Sequence, residues 1–390
     1  MRAIGNHIFS TTVWATILLL LLGCAPPTNQ FTSSFSAGGF STGGFSNRSF
    51  STQEESKADE FTPSPKLIAI GDLHGDYDAY IEVMRETGLI DQKDRWSGGN
   101  AILVQTGDIA DRGPNSRQII THIRELQKAA PRQGGKVITL IGNHEAMNMT
   151  GDLRYVHPGE YEAFRTRRSR KLRNRAFEAN KDRIIEFYRA SDPELSVSEI
   201  ESKWKETYPL GRLEHQAAWR PDGEIGQWVI SNPMVALVHD TLFVHGGISA
   251  DYASLSIDEM NERARAALLA RDGSPERIIN DEKGPLWYRG LIEVFATVSP
   301  SGAVSDATDE NALSPAEELN IVLSAFGAKR MVVGHTPSIE GILGSYDNRL
   351  IQIDTGIAEY YGGVPSFLRL EYGKVYAHSD GEIIEMGDSK

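Results

Sequence analysis

Short apolar runs punctuate the chain at intervals that suit alternating strands and helices. Leu67-Ile68-Ala69-Ile70, Ala101-Ile102-Leu103-Val104 and Val137-Ile138-Thr139-Leu140-Ile141 are uninterrupted and largely β-branched or leucine. Such runs predict strands covered on both faces. Between the first two, Asp78 to Leu89 carries Tyr80, Ile81, Met84 and Leu89 at roughly helical spacing. Between the second and third, Pro114 is placed to open a helix whose apolar face is Ile119, Ile120, Ile123 and Leu126. The order strand, polar loop, helix, repeated, predicts parallel strands joined by right-handed crossovers. In open sheets of this kind ligands sit beyond the carboxyl ends of the strands, where all three polar loops would meet.

The pattern breaks at 151–230, which is polar and helical with few strand-like runs, and reads as an insertion or lid. Within it Arg165, Arg167, Arg168, Arg170, Lys171, Arg173 and Arg175 form a basic run. It is either a solvated helix face or a lid that steers anionic substrates. Strands resume with Met234–Val238 and Leu242–Val244, a hairpin turning at His239-Asp240. Ser314, Pro315 and Glu317 are spaced as cap, first position and third position of a helix. Met331-Val332-Val333 follows, and Leu350–Asp354 and Phe367–Ala377 read as closing strands. Two β-sheets packed together with helices outside are expected.

The first 60 residues belong to a different class of chain. Residues 1–24 have a weakly basic start, a leucine-rich apolar core too short to span a bilayer, and the ending Leu21-Leu22-Gly23-Cys24. That ending resembles the bacterial lipobox, and Cys24 is the only cysteine of the 390 residues. A lipoprotein-type signal peptide is expected, with the mature protein anchored through Cys24 in the bacterial envelope, the outer membrane being the favoured side. A secreted or periplasmic protein is the plainer alternative. Residues 25–60 repeat Phe-Ser and Gly-Gly units and read as a flexible linker. Residues 61–390 then form one large α/β domain. A net charge of −13 argues against general nucleic-acid binding.

The chemistry lies at the strand ends. Gly71-Asp72-Leu73-His74-Gly75-Asp76, Gly107-Asp108-Ile109-Ala110-Asp111-Arg112-Gly113, Gly142-Asn143-His144-Glu145, Val244-His245-Gly246-Gly247 and Val332-Val333-Gly334-His335-Thr336 each follow an apolar run. In an extended segment Asp72 and His74 would point the same way and could grip one ion. Together Asp72, His74, Asp108, Asn143, His245 and His335 offer more ligands than one tetrahedral zinc takes. Two ions of higher coordination, with Asp108 bridging them, suit the set better. Mixed nitrogen and oxygen donors admit manganese, iron, zinc, cobalt or nickel.

These five motifs, in this order, resemble those of the calcineurin-like metallophosphatases, in the phosphoprotein phosphatase branch. Gly151–Val156 and Gly284–Gly290 narrow the likeness to the Shewanella-like protein phosphatases. The resemblance covers roughly residues 66–380. It implies an αββα sandwich, two mixed β-sheets flanked by helices, and a site of two divalent ions, manganese favoured. Asp72, His74 and Asp108 would hold one ion, and Asp108, Asn143, His245 and His335 the other. Hydroxide shared by the two ions would attack phosphorus directly. His144 would be the general acid, oriented by Asp111, while Arg112 and Arg289 would clamp phosphate oxygens, with Asn143 also lining the substrate position. Glu145 reads as a support for the ligands rather than a reacting group. His157, His215 and His239 match no ligand position. The implied substrate is a phosphoprotein bearing phosphotyrosine, phosphoserine or phosphothreonine. The alternative is a dinucleoside-polyphosphate hydrolase or other nucleotidase on the same site.

Overall fold

The computed structural model describes residues 65–292 and 313–387. The signal-peptide, lipidation and linker readings of residues 1–60 therefore lie outside the described residues. No helix among the described residues is long and apolar enough to cross a membrane.

Strands β1 (Leu67–Ile70), β2 (Ile102–Gln105) and β3 (Lys136–Thr139) pair in parallel. On the other side of β1, β9 (Ser366–Glu371), β10 (Lys374–Ser379) and β11 (Glu382–Met386) add antiparallel, giving the order β11-β10-β9-β1-β2-β3. The second sheet contains β4 (Val235–Val238), β5 (Thr241–Val244), β6 (Arg330–Val333), β7 (Leu343–Ser345) and β8 (Leu350–Gln352), in the order β4-β5-β6-β8-β7.

The uninterrupted apolar runs have a simple cause. Alternate residues of a strand point to opposite faces, and here both faces are buried. Leu67, Ala69, Val104, Phe243, Val332 and Ile351 meet between the two sheets. Their neighbours Ile68, Ile70, Leu103, Leu242, Val244, Met331 and Val333 point outward into the layers formed with the helices. The result is an αββα sandwich of two mixed sheets. Cutting a fully buried side chain such as Phe243 to alanine costs about 3–5 kcal/mol in cores of this density.

Helices connect the strands. They are α1 (Tyr77–Glu86), α2 (Ser116–Ala129) and α3 (Asn143–Thr150), then α4 (Pro158–Ala163), α5 (Ser169–Ala179), α6 (Lys181–Ser191), α7 (Val197–Thr207), α8 (Arg212–Trp219) and α9 (Glu224–Ser231), before β4. After β5 come α10 (Ile257–Ala270) and α11 (Pro315–Phe326). Ser314, Pro315 and Glu317 form the capping box that starts α11, as their spacing predicts.

Several boundaries differ from the sequence pattern. The first helix starts at Tyr77, because the Asp76 carboxylate accepts from Ala79 N at 3.1 Å, and it ends before the left-handed Gly88. Pro114 does not open α2. Asn115 N donates to Gly75 O at 2.9 Å, which ties that stretch to the preceding loop, and the helix starts at Ser116. Phe367–Ala377 is two strands, because Tyr372 and Gly373 take φ of 54° and 77° and turn the chain back. Gly142-Asn143-His144-Glu145 is the start of α3, rather than a loop.

Candidate metal centre and active site

Loops at the carboxyl ends of β1, β2, β5 and β6, with the first turn of α3, gather all six ligand candidates. His74 Nε2 lies 3.9 Å from both Asp72 Oδ2 and Asp108 Oδ2. His245 Nε2 lies 2.8 Å from Asn143 Oδ1 and 3.3 Å from Asp108 Oδ2. His335 donates its backbone N–H to both Asp72 oxygens, at 3.2 and 3.0 Å, and its ring stands edge-on to His245 at 4.9 Å. All six side chains are buried.

The convergence does not come from extended backbone, as the spacing of Asp72 and His74 suggests. His74 has φ of 42°, and Asp108, Asp111, Arg112 and His335 also sit at positive φ, from 53° to 73°. Non-glycine residues rarely take that region, and it costs on the order of 1–3 kcal/mol at each. Two glycines give the carboxylates room. A Cβ on Gly142 would lie 2.2 Å from Asp108 Oδ1, and one on Gly334 would lie 2.4 Å from Asp72 Oδ1. Glu145 supports the β2 loop by accepting from the backbone N–H groups of Asp108, Ile109, Ala110 and Gly142, at 2.8 to 3.1 Å.

Hydrogen bonding fixes how the imidazoles face the centre. Nδ1 of His74 is 3.2 Å from Ala110 O, and Nδ1 of His245 is 2.9 Å from Thr106 O. A carbonyl only accepts, so each Nδ1 carries the proton and each Nε2 turns a lone pair inward. His335 Nε2 is buried without a hydrogen-bond partner. Lone pairs thus face carboxylate and amide oxygens, acceptor against acceptor. Cations satisfy such a set, and its nitrogen and oxygen donors suit first-row divalent ions. Two clusters of candidate ligand atoms, His74/Asp108/His144 and Asp108/His245/His335, share Asp108, which suits a pair of ions.

His144 belongs to the first cluster by distance, yet its bonding sets it apart. Its Nδ1 meets Asp111 Oδ2 at 2.6 Å, and Asn148 Nδ2 holds the other Asp111 oxygen at 2.9 Å. Burial disfavours the imidazolium, but Asp108 and Asp111 outweigh it and raise the His144 pKa. The Asp108 carboxyl is likewise destabilised by burial, yet the charged form of His144 beside it works the other way and helps hold it well below the usual range.

Above the buried rim sits a half-exposed collar. Arg112 lies with its Cζ 3.9 Å from the Tyr155 ring centroid and 4.8 Å from that of Tyr360, and its Nη1 donates to Tyr360 Oη at 3.1 Å. Arg112 N donates to Tyr155 O at 3.1 Å. Arg289 is buried enough to lower its pKa, against the opposing pull of Asp108, Asp72 and Asp354, which places its charge toward the rim.

Sequence reading missed Tyr155, Tyr360 and Asp354. Asp354 follows β8 and bonds to Asp72, and burial pushes its carboxyl up. Its signal was a third strand-end acid, in Asp354-Thr355-Gly356. The three histidines that match no ligand position in the motifs have structural surroundings. His157 caps α4 by accepting from Gly159 N, His215 packs among Tyr161, Phe164 and Trp219, and His239 makes the left-handed turn between β4 and β5.

The calcineurin-like phosphoesterase family matches residues 65–338, a span that contains every rim residue. This chain belongs to that family. It is therefore a metallophosphatase, a metal-binding hydrolase of phosphoesters. Among relatives, Shewanella-like protein phosphatase 2 of Arabidopsis thaliana is 32% identical over 319 residues, 80% of this chain and 76% of that protein. Shewanella-like protein phosphatase 1 of Plasmodium berghei is 29% identical over 331 residues, 83% of this chain and 76% of that protein. Among solved structures, the cold-active protein-tyrosine phosphatase of a psychrophilic Shewanella superposes with a TM-score of 0.60 at 27% identity, covering 83% of this chain and 80% of that one. The metallophosphatase sandwich is thus shared at the level of fold and family.

Proposed function

We propose that this metallophosphatase hydrolyses phosphate monoesters on proteins, at phosphotyrosine, phosphoserine or phosphothreonine. The carrying observation is the meeting of the lone-pair rim with the His144–Asp111 pair and the Arg112 guanidinium. The names of its relatives support the same substrate class. Asp72, His74 and Asp108 would hold one ion, and Asp108, Asn143, His245 and His335 the other, with manganese favoured. When bound, such a pair supplies a water acidic enough to act as nucleophile near neutral pH and neutralises charge on the phosphoryl group.

The chain's own residues do the rest. Arg112 can fork onto two phosphate oxygens, and stacking between Tyr155 and Tyr360 keeps its plane fixed. Arg289 approaches as a second cation, and the Asn143 amide borders the same space. His144 holds a proton at Nε2, opposite the Nδ1 bound to Asp111, and donates it to the departing oxygen. An alkyl leaving group needs that proton more than an aryl one.

A substrate panel tests the proposal. With manganese supplied, phosphotyrosine and phosphoserine peptides should turn over well ahead of diadenosine tetraphosphate. Turnover confined to the dinucleotide would replace the proposal with a nucleotidase. For the N-terminal segment we propose attachment to an envelope membrane through lipidated Cys24. The Cys24→Ser variant should then move from the membrane to the soluble fraction of the host, and an unmutated protein already soluble would rule the anchor out.

A further inference from the structure

We propose that the groove between α4, the start of α5 and Leu210 docks an acidic stretch of the polypeptide substrate, beside the phosphoresidue held by Arg112. This inference rests on the phosphoprotein reading and deepens it. Seven of the eleven residues from Arg165 to Arg175 are arginine or lysine, and none is acidic, in a chain whose net charge is −13. Such a local reversal of sign selects partners by charge.

The cations are available. Arg167, Arg168, Arg170, Lys171 and Arg175 are exposed, and among the described residues their side chains have no ion-pair or hydrogen-bond partner. Arg165 and Arg173 are the exceptions: Arg165 pairs with Glu162 at 3.0 Å, and half-buried Arg173 donates from Nη1 to Lys205 O and Tyr208 O at 3.4 and 3.3 Å. Arg165, Arg167 and Arg170, with Glu162, Thr166 and Leu210, line an open groove of about 560 Å³. Glu162 lies inside it and would repel an acidic ligand unless it keeps its bond to Arg165. Arg167 and Arg170 are therefore the contacts that count. A concave, polar groove fits side chains better than a lipid surface, and Leu172 is the only large apolar side chain exposed between residues 158 and 180.

Chain geometry ties the groove to the site. The Tyr155 carbonyl receives Arg112 N, and three residues later α4 begins. The Glu160 carboxylate in α4 accepts from Ser116 N at 2.5 Å, and Arg117 donates to Ala163 O at 2.7 Å. One short helix, clamped to the element that follows Arg112, thus separates the phosphate clamp from the groove. Six helical residues rise about 9 Å. Allowing for side chains, an extended peptide would bridge the two with roughly three to six residues at about 3.3 Å each.

The test compares full-length enzyme with Arg167→Ala/Arg170→Ala on three substrates. These are p-nitrophenyl phosphate, a phosphopeptide with alanine flanks, and the same peptide with glutamates three to six positions away on either side. The wild type should favour the acidic peptide through KM, and that preference should shrink as salt rises. The double variant should raise KM for the acidic peptide about ten-fold with kcat kept, because each exposed pair contributes a few-fold. It should leave the alanine peptide and p-nitrophenyl phosphate unchanged, and Arg167→Lys/Arg170→Lys should restore most of the preference. Equal KM for both peptides in the wild type overturns the groove while leaving the phosphoprotein reading intact. A variant that loses only its binding to phosphatidylglycerol vesicles overturns it in favour of a lipid surface. Turnover of p-nitrophenyl phosphate without turnover of either peptide removes the phosphoprotein reading, and the groove with it.

Discussion

The rim and the collar are built by different physics. Rim residues are buried, come from the ends of strands that share one core, and are held by backbone hydrogen bonds such as the four that Glu145 accepts. Collar residues are half-exposed and come from loops, Tyr155 from the one between α3 and α4. They are held chiefly through side chains, by ring contacts at 3.9 and 4.8 Å and one hydroxyl contact at 3.1 Å, with a single backbone bond from Arg112 N to Tyr155 O. A rim built this way tolerates no movement and has little choice of residue. A collar built this way can vary with the substrate while the chemistry beneath stays the same.

That contrast sets the order of expected effects. Asp108→Asn should be the largest, because Asp108 belongs to both clusters of candidate ligand atoms. Loss of kcat/KM of roughly 10³-fold or more is expected, along with loss of bound metal. The readout beyond activity is thermal: added manganese should raise the Tm of the wild type and leave that of the variant flat. A variant that keeps its metal and its manganese response would remove the bridging role. Collar changes should be milder. Tyr360→Phe keeps the stack and loses the bond to Arg112, so KM should rise about two- to ten-fold with kcat nearly unchanged. Inhibition by inorganic phosphate should weaken in step. A fall in kcat at constant KM would place the hydroxyl in the chemistry instead of in phosphate binding.

The same contrast explains what could be read from the sequence. Each rim residue stands beside a glycine at the end of an apolar run, so its position on the fold and its chemistry appear in one short motif. That β1, β2 and β3 run parallel followed from strand and helix alternation alone. The collar carries no such mark. Tyr155 and Tyr360 reach Arg112 from sequence separations of 43 and 248 residues, and an isolated tyrosine has no periodicity to betray its partner. Left-handed backbone at His74 and Asp108 was hidden for a related reason. Its cost is met by tertiary hydrogen bonds that local propensity does not record. Edge strands were missed as well. In β11, Ile383 and Ile384 are 59% and 58% exposed, so no buried face imposes a pattern.

The joint between the two regions offers the smallest effect on turnover, being read in stability, and the sharpest sign. Glu160, in α4, reaches across to the first backbone N–H of α2 and is almost wholly buried. Burial pushes its carboxyl up to about 7, against the hydrogen bonds from Ser116 and Arg117 and with help from Asp111. A carboxyl raised on folding stabilises the fold fully below its unfolded value near 4.5, and that stabilisation drains away as pH climbs through about 7. Glutamine keeps the accepting carbonyl and cannot ionise. Stability of the wild type relative to Glu160→Gln should therefore fall by about 2–3 kcal/mol between pH 4.5 and 8. Denaturant titrations of both proteins across that range measure it. A difference that grows with pH would mean that the positive end of α2 favours the carboxylate more than burial penalises it. The helical stretch would then be clamped to the catalytic loop most firmly in alkaline solution, the reverse of what burial of Glu160 dictates.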